Sequence, residues 1–244
     1  MQINSALQSI LDNFDNSGKL FIAGSRNVIK LFDYEGAVIN VKAFKVPNWF
    51  NKIIYNYFRE SKAKRSYTYA TLLLERGIGT PKPIAYYEEK SIFGLEKSYY
   101  VSQHLEFDLM FRDLVENNNY PDRELILKQF MSFCYKLHQS GIEFLDHSPG
   151  NTLIKKENDN EYSFYLVDLN RMIFHKEMTF EQRMKNLSRL TPYQDMIQIM
   201  SKEYAKLSNE EESLVFDTLW KYTSEFQYKF YRKKRIKNKL RLFS

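Results

Sequence analysis

The sequence predicts an α+β fold in two lobes, a small antiparallel-sheet lobe with one helix followed by a mostly helical lobe. Three observations predict it. Short apolar, β-branched runs separated by turn signals occupy much of the first 44 positions. Apolar residues at helical spacing dominate beyond residue 122. A chain of 244 residues, 43% hydrophobic, has enough apolar side chains for one large domain or two small lobes.

Each element follows from local pattern. Residues 20–23, 27–32 and 37–44 read as a three-stranded meander, with Gly24, Ser25 and Arg26 as the first turn. Pro47 ends the third strand, and a mixed basic and aromatic segment runs from Trp49 to Arg59. Residues 61–76 form the one helix of this lobe, with Ala63, Tyr67, Ala70 and Leu74 on one face and Gly77 at its C-terminal cap. Pro81 and Pro83 force an extended entry to a strand at 84–87, and a further strand follows at 98–103. The first lobe is therefore assigned to residues 1–105. The second, 106–225, begins with a helix over 122–139, carrying Leu125, Phe130, Phe133, Cys134 and Leu137 at helical spacing and ended by Gly141. Short strands at 151–155 and 162–168 flank a polar turn, and helices follow at 180–189, 194–207 and 209–239.

Composition narrows the function classes. The first 20 residues lack a basic start followed by an apolar run, so no signal peptide is expected. No apolar run reaches the length of a membrane span. A single cysteine, Cys134, builds neither an internal disulfide nor a zinc centre and suits a cytoplasmic protein. The net charge is +6, yet residues 226–244 alone carry eight Lys or Arg and no acid, so the rest of the chain is slightly acidic. The cations alternate with Phe226, Phe230, Ile236, Leu240 and Phe243. This basic amphipathic tail is expected either to lie on an anionic membrane surface or to sit against the second lobe. No nucleic-acid motif accompanies it, and nucleic acid is not an expected partner.

The chemistry is concentrated in Asp146-His147-Ser148-Pro149-Gly150-Asn151, followed by a strand, a turn, a second strand and Asp168. Phosphoryl transfer needs these residue types. One carboxylate accepts the proton of the attacking hydroxyl, while an amide oxygen and a second carboxylate hold Mg²⁺ on the phosphates of ATP. Alone, the six-residue loop would be an ordinary polar connection; its place between a helix and a hairpin ending in Asp makes it a motif. Lys42, late in the third strand, precedes it in the order expected of the lysine that contacts ATP phosphates in kinase-like folds, with Lys45 as a nearby competitor.

Three blocks carry a wider resemblance. They are 61–67 with Gly77, Ile78 and Pro81 to Ala85; Leu137-His138 with Gly141-Ile142 leading into the Asp146 motif; and Asp168-Leu169-Asn170-Arg171-Met172 with Asn186-Leu187-Ser188-Arg189-Leu190. Together they resemble the lipopolysaccharide kinase (Kdo/WaaP) family, bacterial members of the protein-kinase-like superfamily, over roughly residues 38 to 190. The resemblance implies a protein-kinase-like two-lobed fold and a kinase that uses ATP and Mg²⁺. It implies Asp146 as catalytic base, Asn151 and Asp168 as metal ligands, Lys42 as phosphate contact, and Gln103 to Leu105 as the adenine-contacting hinge. It further implies a Kdo or heptose hydroxyl of lipopolysaccharide core, or of a lipid A precursor, as acceptor. The place of reaction would be the cytoplasmic face of the inner membrane, with the tail in peripheral contact.

Three positions depart from the kinase pattern. Ser66 stands where the first helix usually carries a Glu, with Glu60 and Glu75 as neighbouring acids. Phe144 stands where a His is usual. The first turn has one glycine, Gly24, beside Ser25, so phosphate would be cradled there by few backbone N–H groups. These departures keep a nucleotide-binding pseudokinase among the readings. The loop pattern is shared with aminoglycoside- and choline-type phosphotransferases. The absence of a long segment ending in Ala-Pro-Glu after Asp168 favours a sugar over a protein acceptor.

Overall fold

The computed structural model describes residues 3–24, 27–45, 60–92 and 94–241, with side chains to residue 239. Ser25, Pro47 and the basic aromatic segment from Trp49 to Arg59 lie outside the described residues. The chain divides into two compact units, one of residues 1–106 with 166–171, the other of residues 107–165 with 172–244.

The first unit is built on a five-stranded sheet. In chain order its strands are β1 (Lys19–Ala23), β2 (Asn27–Tyr34), β3 (Ala37–Phe44), β4 (Pro83–Ser91) and β5 (Gly94–Gln103). The spatial order is β1-β2-β3-β5-β4, with every pair antiparallel. The period of two along a strand sorts its faces. Val41 stands opposite Val101, which stands opposite Ala85, and all three are buried. That face is covered by helix α1 (Ser5–Asp12), whose Leu7 and Leu11 join Phe14, Ile39 and Tyr99 in one core. Sequence reading left α1 out. Its signal is present in Asn4, whose side chain caps the N–H of Leu7 at 2.9 Å, and in the Leu7/Leu11 spacing.

The opposite face carries Lys42, paired with Tyr100, which is in turn paired with Tyr86. Helix α2 (Lys62–Glu75) covers it, with Tyr67 5.5 Å from Tyr86. The helix starts at Ser61, whose hydroxyl accepts from the N–H of Lys64 at 3.0 Å. It stops at Gly77, which adopts φ +67° while its N–H reaches Leu74 O and that of Ile78 reaches Leu73 O, both at 2.9 Å. This double closure needs a left-handed residue and explains the glycine.

The second unit is mostly helical, as expected. Its helices are α3 (Phe111–Glu116), α4 (Arg123–Gln139), α5 (Phe180–Leu187), α6 (Gln194–Ser208) and α7 (Glu212–Arg241). One core joins Ile126, Leu127, Phe130, Met131 and Cys134 of α4 to Met196, Ile197 and Met200 of α6 and to Val215 and Leu219 of α7. Cys134 is fully buried, as its helical spacing indicated. The basic residues of 226–239 continue α7, a single helix of 30 residues. Small sheets complete the unit: β6 (Leu109–Met110) with β8 (Thr152–Asn158) and β9 (Glu161–Leu166), and β7 (Ile142–Phe144) with β10 (Met172–Phe174). Neither β6, β7, β10 nor α3 was legible in sequence, since runs of two or three residues in the strands and six in the helix are too short to show a period.

Gly141 links α4 to β7 and tolerates no other residue. It adopts φ +68°, and a Cβ there would lie 2.2 Å from the carbonyl oxygen of His175. That carbonyl cannot retreat, because the N–H of His175 donates to Gly141 O at 2.8 Å.

Candidate active site

The Asp146 motif occupies the segment after β7, and residues Pro149–Asn151 make one 3₁₀ turn. Its shape is set by side-chain to main-chain bonds. Asn151 Nδ2 donates to Asp146 O at 2.7 Å. This fixes the orientation of the amide, so its Oδ1, the atom able to ligate a cation, points away from the bond. Asn186 Nδ2 donates to Phe144 O at 2.8 Å, and Arg189 Nη1 donates to Leu145 O at 2.6 Å. The end of α5 thus holds the two carbonyls immediately before Asp146. That is the physical reason for the Asn186-to-Arg189 block noted in the sequence.

Two histidines complete the support. His138 Nε2 and His147 Nδ1 both face Asn186 Oδ1, at 3.1 and 3.2 Å. An amide oxygen only accepts, so both nitrogens carry protons. His138 Nδ1 then accepts from the Tyr204 hydroxyl at 2.8 Å. Both rings are buried and neutral, since desolvation lowers their pKa values to about 3 for His138 and about 4 for His147. Their partners, Asn186 and Tyr204, give both rings a supporting place beneath the loop.

This network has a pH signature. In the unfolded chain both histidines bind protons below about pH 6.5, whereas the folded protein resists until about 4 and about 3. The folded pKa values are depressed, so the stabilisation is complete above 6.5 and lost as pH falls. The slope is about 1.4 kcal/mol per pH unit for each histidine. Urea unfolding between about pH 6.5 and 5, above the range of ordinary carboxylates, should show a loss approaching twice that slope. A flat stability across this window would mean that the two rings are not buried as neutral donors.

In the first unit, Lys42 Nζ lies 2.7 Å from Asp168 Oδ1. Asp168 holds a left-handed backbone, φ +60°, which costs energy for a residue with a Cβ and is tolerated best by Asp and Asn. Its Oδ1 also accepts from Asn170 Nδ2. Asn170 in turn receives α2: Arg65 Nη1 donates to its carbonyl at 2.8 Å, and the Ser66 hydroxyl meets its Oδ1 at 3.5 Å. The helix position that usually supplies a Glu to the strand lysine here reaches Asn170 instead. Glu60 is engaged with Lys64 at 2.7 Å, and Glu75 is exposed. Asn170 and Arg65 were not singled out from the sequence as site residues.

The remaining expected positions are less enclosed. Gln103 ends β5, its N–H donating to Lys82 O at 2.9 Å, and the N–H of His104 donates to Val38 O at 2.9 Å. Leu105 lies two residues past β5, half-buried. The N–H of Gly24 donates to Asn27 O at 2.9 Å, closing the β1–β2 turn. Among the described residues no three His, Cys, Asp or Glu side chains form a protein-only metal centre. Mg²⁺ bound on phosphates needs only one or two protein oxygens, and the Asp168 carboxylate and the Asn151 amide are each of that donor type. No helix among the described residues is long and apolar enough to cross a membrane.

Comparison with known proteins fits this arrangement. The solved structure of "WaaP in complex with acyl carrier protein" superposes with a TM-score of 0.63 at 14% identity, covering 91% of this chain and 92% of that one. The likeness shows a protein-kinase-like fold. No curated protein sequence matches. The sequence profile of the lipopolysaccharide kinase (Kdo/WaaP) family matches residues 44–210, which include Asp146, Asn151 and Asp168. A match over most of the chain, joined to the fold, makes this protein a member of the lipopolysaccharide kinase (Kdo/WaaP) family.

Proposed function

We propose that the protein transfers the γ-phosphate of ATP to a hydroxyl of a Kdo or heptose residue in lipopolysaccharide core, at the cytoplasmic face of the inner membrane. The observation that carries this reading is the anchored Asp146 loop: Asn151, Asn186 and Arg189 fix its main chain from three directions. A loop held in this way presents one carboxylate in a constant place, as a general base requires. Asp146 accepts the proton of the acceptor hydroxyl. Asn151 Oδ1 and the Asp168 carboxylate hold Mg²⁺, which when bound neutralises charge on the phosphates. Lys42 moves from Asp168 to phosphate oxygens as nucleotide enters, exchanging one anionic partner for another. Gln103 and Leu105 contact adenine, and Gly24 lies over the phosphates. The cations of 226–244 favour an anionic membrane surface, where a lipid-linked acceptor resides.

The test is transfer of label from γ-labelled ATP with Mg²⁺ to purified lipid A–core acceptors. Labelled glycolipid is the expected result. Stabilisation by Mg·ATP without transfer to any saccharide would leave a pseudokinase; no nucleotide binding would overturn the kinase reading.

A further inference from the structure

The second unit contains a cavity of about 680 Å³ whose wall includes Ser148 and Pro149, two and three residues past Asp146. The other walls come from α3, from the segment after α5 and from residues 226–233 of α7. Four cations line it, Arg112, Arg189, Lys229 and Lys233, against one carboxylate, Glu116. Lys229 also has Glu225 at 3.6 Å on its own helix.

Two of the cations lie against the loop itself. Arg189, which holds Leu145 O at 2.6 Å, lays its guanidinium 5.0 Å over the ring of Phe226. It therefore joins the loop to α7 while facing the cavity. Arg112 runs against Gly150 so closely that a Cβ at residue 150 would lie 2.4 Å from its Nη2. Gly150 is thus the residue that admits Arg112 to the loop. Phe226 and the half-exposed Phe230 add apolar surface beside the cations. A cavity of this size holds a small saccharide. Arg189 held at the loop carbonyl, with Arg112 and the exposed lysines beside it, suits carboxylate or phosphate oxygens.

We propose that this cavity is an anion site on the acceptor side, binding a phosphate or carboxylate group of the saccharide whose hydroxyl meets Asp146. The proposal rests on the phosphotransferase reading above and deepens it. ATP is assigned to Lys42, Gln103 and Leu105 in the first unit, whereas every wall of the cavity belongs to the second. Its concave form separates it from simple attraction of a basic helix to a flat membrane. The end of α7 becomes part of acceptor recognition.

The experiment measures binding of a deacylated, phosphorylated, Kdo-containing core oligosaccharide to the full chain by calorimetry, without ATP. The variant is Lys229→Ala with Lys233→Ala; both side chains are exposed, so folding is preserved. The expected result is a Kd raised about tenfold or more. Binding of the same oligosaccharide, after dephosphorylation and carboxyl reduction, should not distinguish the variant from the parent. In the transfer assay the acceptor KM should rise while the ATP KM stays constant. Unchanged oligosaccharide affinity would overturn the proposal. So would a variant that loses only its sedimentation with phosphatidylglycerol vesicles, since lipid head groups would then be the anion. Charge-dependent binding without any transfer would overturn the kinase reading and leave the anion site standing. Transfer with an unchanged acceptor KM would do the reverse.

Discussion

Asp146→Asn should lower turnover by about 10² to 10⁴, the usual share of a positioned general base. The substitution is nearly isosteric and removes the negative charge, and with it the capacity to accept a proton. Asn151 holds the main-chain oxygen of residue 146 rather than its carboxylate. Asn186 and Arg189 likewise grip the carbonyls of Phe144 and Leu145. The loop should therefore keep its form, and Mg·ATP should stabilise the variant against heat as it does the parent. Steady-state transfer to a lipid A–core acceptor, with thermal shift alongside, separates the two effects. Undiminished turnover would remove Asp146 from the chemistry. Loss of both turnover and nucleotide binding would show instead that the carboxylate maintains the nucleotide site.

Asp168→Ala should abolish Mg²⁺-dependent nucleotide binding. In the free protein the carboxylate holds Lys42 at 2.7 Å and also accepts from Asn170. Its removal deletes the proposed metal ligand and releases both partners. The parent at about 100 times Kd should gain about 2.7 kcal/mol from Mg·ATP. The variant should gain almost none, and EDTA should make no difference to it. Alanine is also strained at φ +60°, so part of any destabilisation will be conformational. Asp168→Asn tolerates that backbone and separates the causes. It should fold nearly as well as the parent and still lose the Mg²⁺ dependence. Intact Mg²⁺-dependent binding in both variants would refute a metal role for Asp168.

The link from α2 gives these predictions a wider setting. A kinase with a Glu on its first helix reports helix position to the strand lysine through one ion pair. Here Arg65 and Ser66 engage Asn170, which engages Asp168, which engages Lys42. The helix and the lysine remain connected, but by hydrogen bonds through the segment after β9. Ser66, read from sequence as a departure, is one end of that connection.

Local pattern alone determined much of this protein. The β1–β3 meander, α2 with its Ser61 start and Gly77 stop, and the long helices of the second unit each follow from periodicity and capping within a few residues. The Asp146-to-Asn151 spacing and Asp168 were legible for the same reason: the chemistry names the residue types, and only one short hairpin separates them. What only the tertiary structure decided depends on partners far apart in the chain. Lys42 meets Asp168 across 126 positions, and His138 meets Asn186 across 48. The role of α1 became visible only when the Val41–Val101 face was seen to need a cover. The cavity of four cations draws on α3, on Arg189 just past α5 and on α7, so no window of sequence contains it. In sequence its lysines look like any solvated basic helix, because charge density shows composition but not which side chains converge. Convergence is set by packing of the apolar core, in which Phe130, Met196 and Leu219 fix the helices whose ends carry the site.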